Sequence, residues 1–183
     1  MENREIEVLK EVVGHLDAIG IAYMITGSIA LHFYAIPRMT RDIDIVVEIS
    51  ESHIDALIKV FESDCYLDAE MIHAAIRNKS MFNFIHTAMA VKLDFIVRKS
   101  SPYRIKEFER RRKISYADTS FFIVSPEDLI LSKLWWARDS LSETQLKDVR
   151  GIMGCLGDLD FDYMEHWARE MGIESLYKDI THG

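Results

Sequence analysis

The stretch from Ile21 to Glu48 constrains the fold of this chain more than any other. An apolar run rich in β-formers, IAYMIT, ends abruptly at Gly27-Ser28. The segment IALHFYAI then reads as a helix stopped by Pro37. After it, DIDIVVEI opens with an apolar–polar alternation that predicts a second strand. Residues two apart in a strand point to the same face, so Asp42 and Asp44 present their carboxylates side by side while Ile43 and Ile45 turn into the core. Neighbouring carboxylates repel unless a cation sits between them. Hard oxygen ligands so placed suit Mg²⁺, or Mn²⁺, held jointly with substrate phosphates. Gly27 lets the backbone approach a ligand closely, and Ser28 opens a helix whose free N–H groups attract phosphate. An isolated Asp-x-Asp is commonly a solvated strand start, and an isolated Gly-Ser a turn. In this order they point to a phosphate cradle facing an acid pair.

The rest of the chain reads as mixed α/β up to about residue 125 and as helical beyond it. Ile6, Leu9, Val12, Val13 and Leu16 recur at helical spacing, so an amphipathic helix opens the chain and Gly20 ends it. Helices are predicted over 51–63, 68–78 and 103–111, with short strands near 113–117 and 121–124. MFNFIH and AVKLDFIV, three residues apart, form a predicted hairpin. Ser125-Pro126-Glu127-Asp128 is a helix start with an N-cap serine, proline at the first position and acids in the first turn. The division expected is a core over 1–124 and a C-terminal helical part over 125–183 packed on it, within a single domain or as its extension.

Composition excludes several classes. Hydrophobic residues make up 49% and charged residues 28% of 183 positions, which is a globular balance. No apolar run approaches bilayer-spanning length, and MENREIEVLKEV has no signal-peptide core. A cytoplasmic protein with Cys65 and Cys155 as reduced, buried thiols is expected. The net charge of −8 argues against coating nucleic acid by bulk electrostatics. The basic run Arg110-Arg111-Arg112-Lys113 reads as a solvated helix end before it reads as a phosphate contact. The histidines show no metal-ligand spacing. Trp135 and Trp136 could stack a base, although one of them belongs to the core. Arg38 and Arg41 could meet phosphates or pair with carboxylates.

The segment TGSIALHFYAIPRMTRDIDIV resembles the signature of the DNA polymerase β-like nucleotidyltransferase superfamily: a hydrophobic strand, Gly-Ser or Gly-Gly, a helix, then Asp-x-Asp between hydrophobics. Here 13 residues separate Ser28 from Asp42. The resemblance implies an α+β fold, a mixed twisted sheet with helices on one face followed by C-terminal helices. It also implies a third carboxylate on a neighbouring strand, which VKLDFIV offers as Asp94. Asp94 would complete a metal site with Asp42 and Asp44 or take the acceptor's proton; the plainer reading is an ion pair with Lys92. The implied reaction moves a nucleoside monophosphate from ATP or another nucleoside triphosphate to a hydroxyl on tRNA, a protein or a small molecule.

PEDLILSKLWWARDSLSETQLKDVRGIM is similar to the C-terminal helices of AbiEii-like small nucleotidyltransferases of toxin–antitoxin systems. On that likeness Lys133 would meet the triphosphate, and Asp148 would orient Lys133 or another base of the site. The position where such proteins often carry a further acid is Gly151, so the motif is incomplete. Ser142-Glu143-x-Gln145 instead suggests a less characterised branch with the same core. The rival function is that of a regulatory, non-catalytic member of a toxin–antitoxin-like pair, with a partner protein or a homodimer open.

Overall fold

Two short strands with opposite demands on their faces organise the molecule, which the computed structural model describes over residues 4–182. β1 (Ala22–Thr26) and β2 (Asp42–Glu48) pair antiparallel at the centre of a seven-stranded mixed sheet. β5 (Val91–Val97) lies parallel to β2 on its other side, followed outward by β4 (Met81–His86) and the two-residue β3 (Cys65–Tyr66). Beyond β1, β7 (Thr119–Ile123) runs parallel to it and carries β6 (Arg112–Tyr116) as the far edge.

The helices divide between the two faces according to the pleat. Ile43, Ile45 and Val47 of β2, with Leu93 and Phe95 of β5, pack against α1 (Arg4–Ala18), α3 (Ile54–Phe61) and α4 (Ala69–Asn78). Phe82 stacks on Phe95 there with ring centroids 5.1 Å apart. The alternate residues Met24 and Val46 face the other way. They meet α6 (Pro126–Ala137), α7 (Glu143–Cys155), α8 (Phe161–Glu170) and α9 (Glu174–His182). Thus the C-terminal helices cover the same face that Asp42 and Asp44 occupy. α5 (Pro102–Glu109) closes this side beside β5. Among the described residues no helix is long and apolar enough to cross a membrane.

Two local readings change and one short strand is added. The helix after Gly27 is only α2 (Gly27–Leu31); the chain then leaves it through turns at His32–Tyr34 instead of continuing to Ile36. Tertiary contacts override helix propensity: Tyr34 donates its hydroxyl to the Val124 carbonyl at 2.7 Å, and Phe33 meets Phe121 edge-on. β3 is too short to leave a sequence pattern. Cys155 is exposed, and only Cys65 is buried.

In the basic run after α5, Arg110 and Arg112 are paired rather than free. Arg110 bonds Asp128 and Glu127 at 3.3 Å and lies 3.8 Å from the Tyr163 ring centroid, while Arg112 reaches Glu127 at 3.4 Å. Ser125 accepts from the Asp128 backbone N–H at 3.1 Å and donates to that residue's carboxylate at 2.7 Å. Those two buried acids, which the sequence marks as an N-cap turn, need such partners because an unpaired buried charge is costly. The cluster ties α6 to α5 and α8, and so fixes the helix that carries Lys133.

Candidate active site

The strand register assembles the site. Asp44 pairs with Thr26 on one side and Asp94 on the other, and Asp94 pairs in turn with Asn83. Paired residues share a face, so Thr26, Asp44, Asp94 and Asn83 form one polar row across β1, β2, β5 and β4. Asp42 lies one pleat away, exposed, and is paired with Lys92. Asp94 is 7% exposed. Burial raises the pKa of Asp44, and repulsion from Asp94 and then Asp42 raises it further. The Lys92 ammonium donates to Asp94 Oδ2 at 2.9 Å and stands 2.8 Å from Oδ1 as an ion pair.

Gly27 follows directly on this row. Its φ of +62° is left-handed, and a Cβ there would overlap the Asp44 carboxylate. Only glycine lets the turn close over that acid. Ser28, buried, accepts from the Arg38 guanidinium, which also donates from Nε to Asp148 at 3.2 Å. Lys133, 4% exposed, donates to the same carboxylate at 2.8 Å and to Gln145 Oε1 at 3.2 Å. Desolvation lowers the Lys133 pKa in spite of Asp148. Two cations therefore converge on one acid beside Ser28, an arrangement with positive charge to spare for a phosphate. At five residues α2 has little macrodipole. The attraction for an anion rests on Arg38 and Lys133 rather than on the helix end.

The residues present fit a hard divalent cation. Asp44 and Asp94 supply carboxylate oxygens in one row, and their mutual repulsion favours a cation between them. Among the described residues no three His, Cys, Asp or Glu side chains gather into a ready-made cage. The platform is the Asp44–Asp94 pair, with Asp42 at its rim.

Along the same face, beyond the acids, opens a cleft of about 410 Å³. Thr26, Val46 and Ile96 floor it; Tyr103, Trp135 and Trp167 wall it. Trp136, 66% exposed, stands at its side, while Trp135 packs partly into the core. A separate groove of about 690 Å³ is lined by Arg38, Thr40 and Arg41.

Sequence reasoning singled out Gly27, Ser28, Asp42, Asp44, Asp94, Lys133 and Asp148, and the fold brings these to one face. It left the role of Arg38 open and passed over Asn83. The alternation of MFNFIH could have placed Asn83, but nothing in the sequence foretells that Arg38 meets an acid 110 positions away. His32 braces that loop, with its Nε2 2.8 Å from the Arg38 carbonyl oxygen.

Comparison with solved structures shows the same fold in several nucleotidyltransferases. The antibiotic-resistance factor ANT(2'')-Ia, solved with adenylyl-2''-tobramycin, matches with a TM-score of 0.63 at 13% identity over 96% of this chain and 99% of that one. An antigenic nucleotidyltransferase-like protein from Paracoccidioides brasiliensis gives 0.57 at 20% identity, over 82% and 75%. The lincosamide adenylyltransferase LnuA with lincomycin bound gives 0.55 at 14%, over 85% and 98%. Among the curated proteins nothing matches. The AbiEii-like branch finds no support in these likenesses. A family model, however, covers residues 4–179, and by it the chain belongs to the family described as nucleotidyltransferase of unknown function (DUF6036).

Proposed function

We propose that the protein transfers a nucleoside monophosphate from a nucleoside triphosphate to a hydroxyl acceptor, using a divalent cation held by Asp44 and Asp94 with Asp42 at the rim. When bound, Mg²⁺ or Mn²⁺ would polarise the α-phosphate and offset the charge of the departing pyrophosphate. Arg38, Lys133 and the Ser28 hydroxyl bind the β- and γ-phosphates, with Asp148 orienting the two cations. The Gly27 backbone, pressed against Asp44, brings those phosphates up to the acid row. Asp94 takes the proton of the acceptor hydroxyl, the freed oxygen bonds to the α-phosphorus, and the bond to the β-phosphate oxygen breaks to release pyrophosphate. The cleft lined by Trp135 and Trp167 receives the organic part of a substrate.

The observation that carries this reading is the register pairing of Asp44 with Asp94 beneath a glycine turn that only glycine can make. The size of the cleft favours a small-molecule acceptor over a macromolecule, in keeping with the antibiotic complexes of ANT(2'')-Ia and LnuA. The test incubates the protein with Mg²⁺, each α-labelled triphosphate and a fractionated cell extract. Label should pass to an acceptor with release of pyrophosphate, and Asp44→Ala should reduce the rate by more than about 100-fold. Equal labelling by Asp44→Ala, or release of orthophosphate in place of pyrophosphate, would contradict it.

A further inference from the structure

Lys92 already grips the acid row directly. Its ammonium approaches both oxygens of Asp94, at 2.8 and 2.9 Å, although its own side chain is 43% exposed and that of Asp94 only 9%. Across the parallel pair its register partner is Asp42, while Asp94 pairs with Asp44. Lys92 therefore sits between the exposed acid and the buried one, at the mouth of the platform. Its backbone is pinned, since its N–H donates to the Arg41 carbonyl at 3.2 Å, but its four-carbon stem reaches in from solvent. Such a stem can withdraw by side-chain rotation without moving the sheet.

We infer that Lys92 is a built-in counter-cation of the acid row, neutralising Asp94 in the empty protein and competing with the divalent ion for the same carboxylate. This rests on the proposed role of Asp44 and Asp94. The physical reason is that an ammonium and a divalent ion cannot both take the two oxygens of one carboxylate. A half-exposed ion pair is weak enough to be displaced, and the divalent ion, with twice the charge, prevails once its concentration suffices. Bare ion binding is thereby held weak. A triphosphate, bringing phosphate oxygens to which the released ammonium can turn, favours loading ion and nucleotide together. Lys92 is a positioning residue in this scheme, acting on the reaction through Asp94.

The test is binding of Mn²⁺ alone, followed by loss of the free-ion electron paramagnetic resonance signal, with no nucleotide and no turnover. Lys92→Met keeps the length of the stem and removes the charge. It should tighten Mn²⁺ binding on the order of tenfold, the scale of a unit charge one carboxylate away from a divalent ion. Lys92→Arg should stay near the natural affinity, and in an Asp94→Asn background the Lys92→Met gain should vanish. Mn²⁺ bound equally by the natural protein and Lys92→Met, and lost in Asp44→Asn, would overturn the role of Lys92 while leaving the acid platform standing. Weaker binding by Lys92→Met would overturn it as well. No Mn²⁺ bound by any variant would overturn both.

Discussion

At the scale of single residues the account turns on contacts that leave no room for substitution. Gly27 is the sharpest case, because its left-handed φ and the nearness of Asp44 act together. Gly27→Ala would cost about 1–2 kcal/mol in backbone strain. It should also push the turn off the acid. Nucleotidyl transfer should therefore fall by roughly 100-fold, as a misplacement near 1 Å can cause, while circular dichroism shows a folded protein. Near-natural transfer by the variant would mean that the turn does not approach the substrate. Arg38 gives a second case. Its guanidinium serves Ser28 and Asp148 at once, a fork that a lysine cannot reproduce. Arg38→Lys should raise the KM for the triphosphate by about tenfold with a smaller change in kcat. A change in kcat alone would place Arg38 outside the cradle.

At the scale of elements, α6 and α7 are clasped by a buried pair, Lys133 with Asp148. Removing one partner strands the other charge away from water, at a cost of about 3 kcal/mol. For a chain of this size Asp148→Ala should thus lower the melting temperature by about 6–12 °C in calorimetry. The paired change Lys133→Met with Asp148→Leu should recover most of that loss while still impairing triphosphate binding. Equal melting temperatures for Asp148→Ala and the natural protein would remove the clasp from the account. These elements also show what the sequence could yield. β1, β2, the β4–β5 hairpin and the capped start of α6 were legible because each is set locally, by alternation, by glycine or by an N-cap serine. The length of α2 was not, because Phe33 and Tyr34 leave the helix for partners on β7 and its end. Likewise β7 takes its place beside β1 through a single parallel register pair, Ile25 with Ile123, between strands far apart in sequence. Asp94 was legible as an odd acid in an apolar strand; its pairing with Asp44 required the register.

At the scale of the whole molecule, helices on both faces leave the acid row at the seam between the sheet and the C-terminal helices. Charge is partitioned there: the chain carries −8 overall, yet Arg38 and Lys133 make the cradle locally basic. In the basic run at 110–113, Arg110 and Arg112 are paired with Glu127 and Asp128, which offsets part of its charge. Binding to bulk RNA should accordingly be weak and should fade with modest salt. Tight, salt-resistant RNA binding would redirect the search for the acceptor toward macromolecules. The central claim is that Asp44 and Asp94 together hold the cation that the triphosphate needs. Its most direct test is isothermal titration of a non-hydrolysable triphosphate with Mg²⁺ into the natural protein and into Asp44→Asn/Asp94→Asn. The account predicts saturable binding that the double variant weakens by more than about tenfold and that no longer depends on Mg²⁺. An unchanged, Mg²⁺-dependent affinity in the double variant would contradict it.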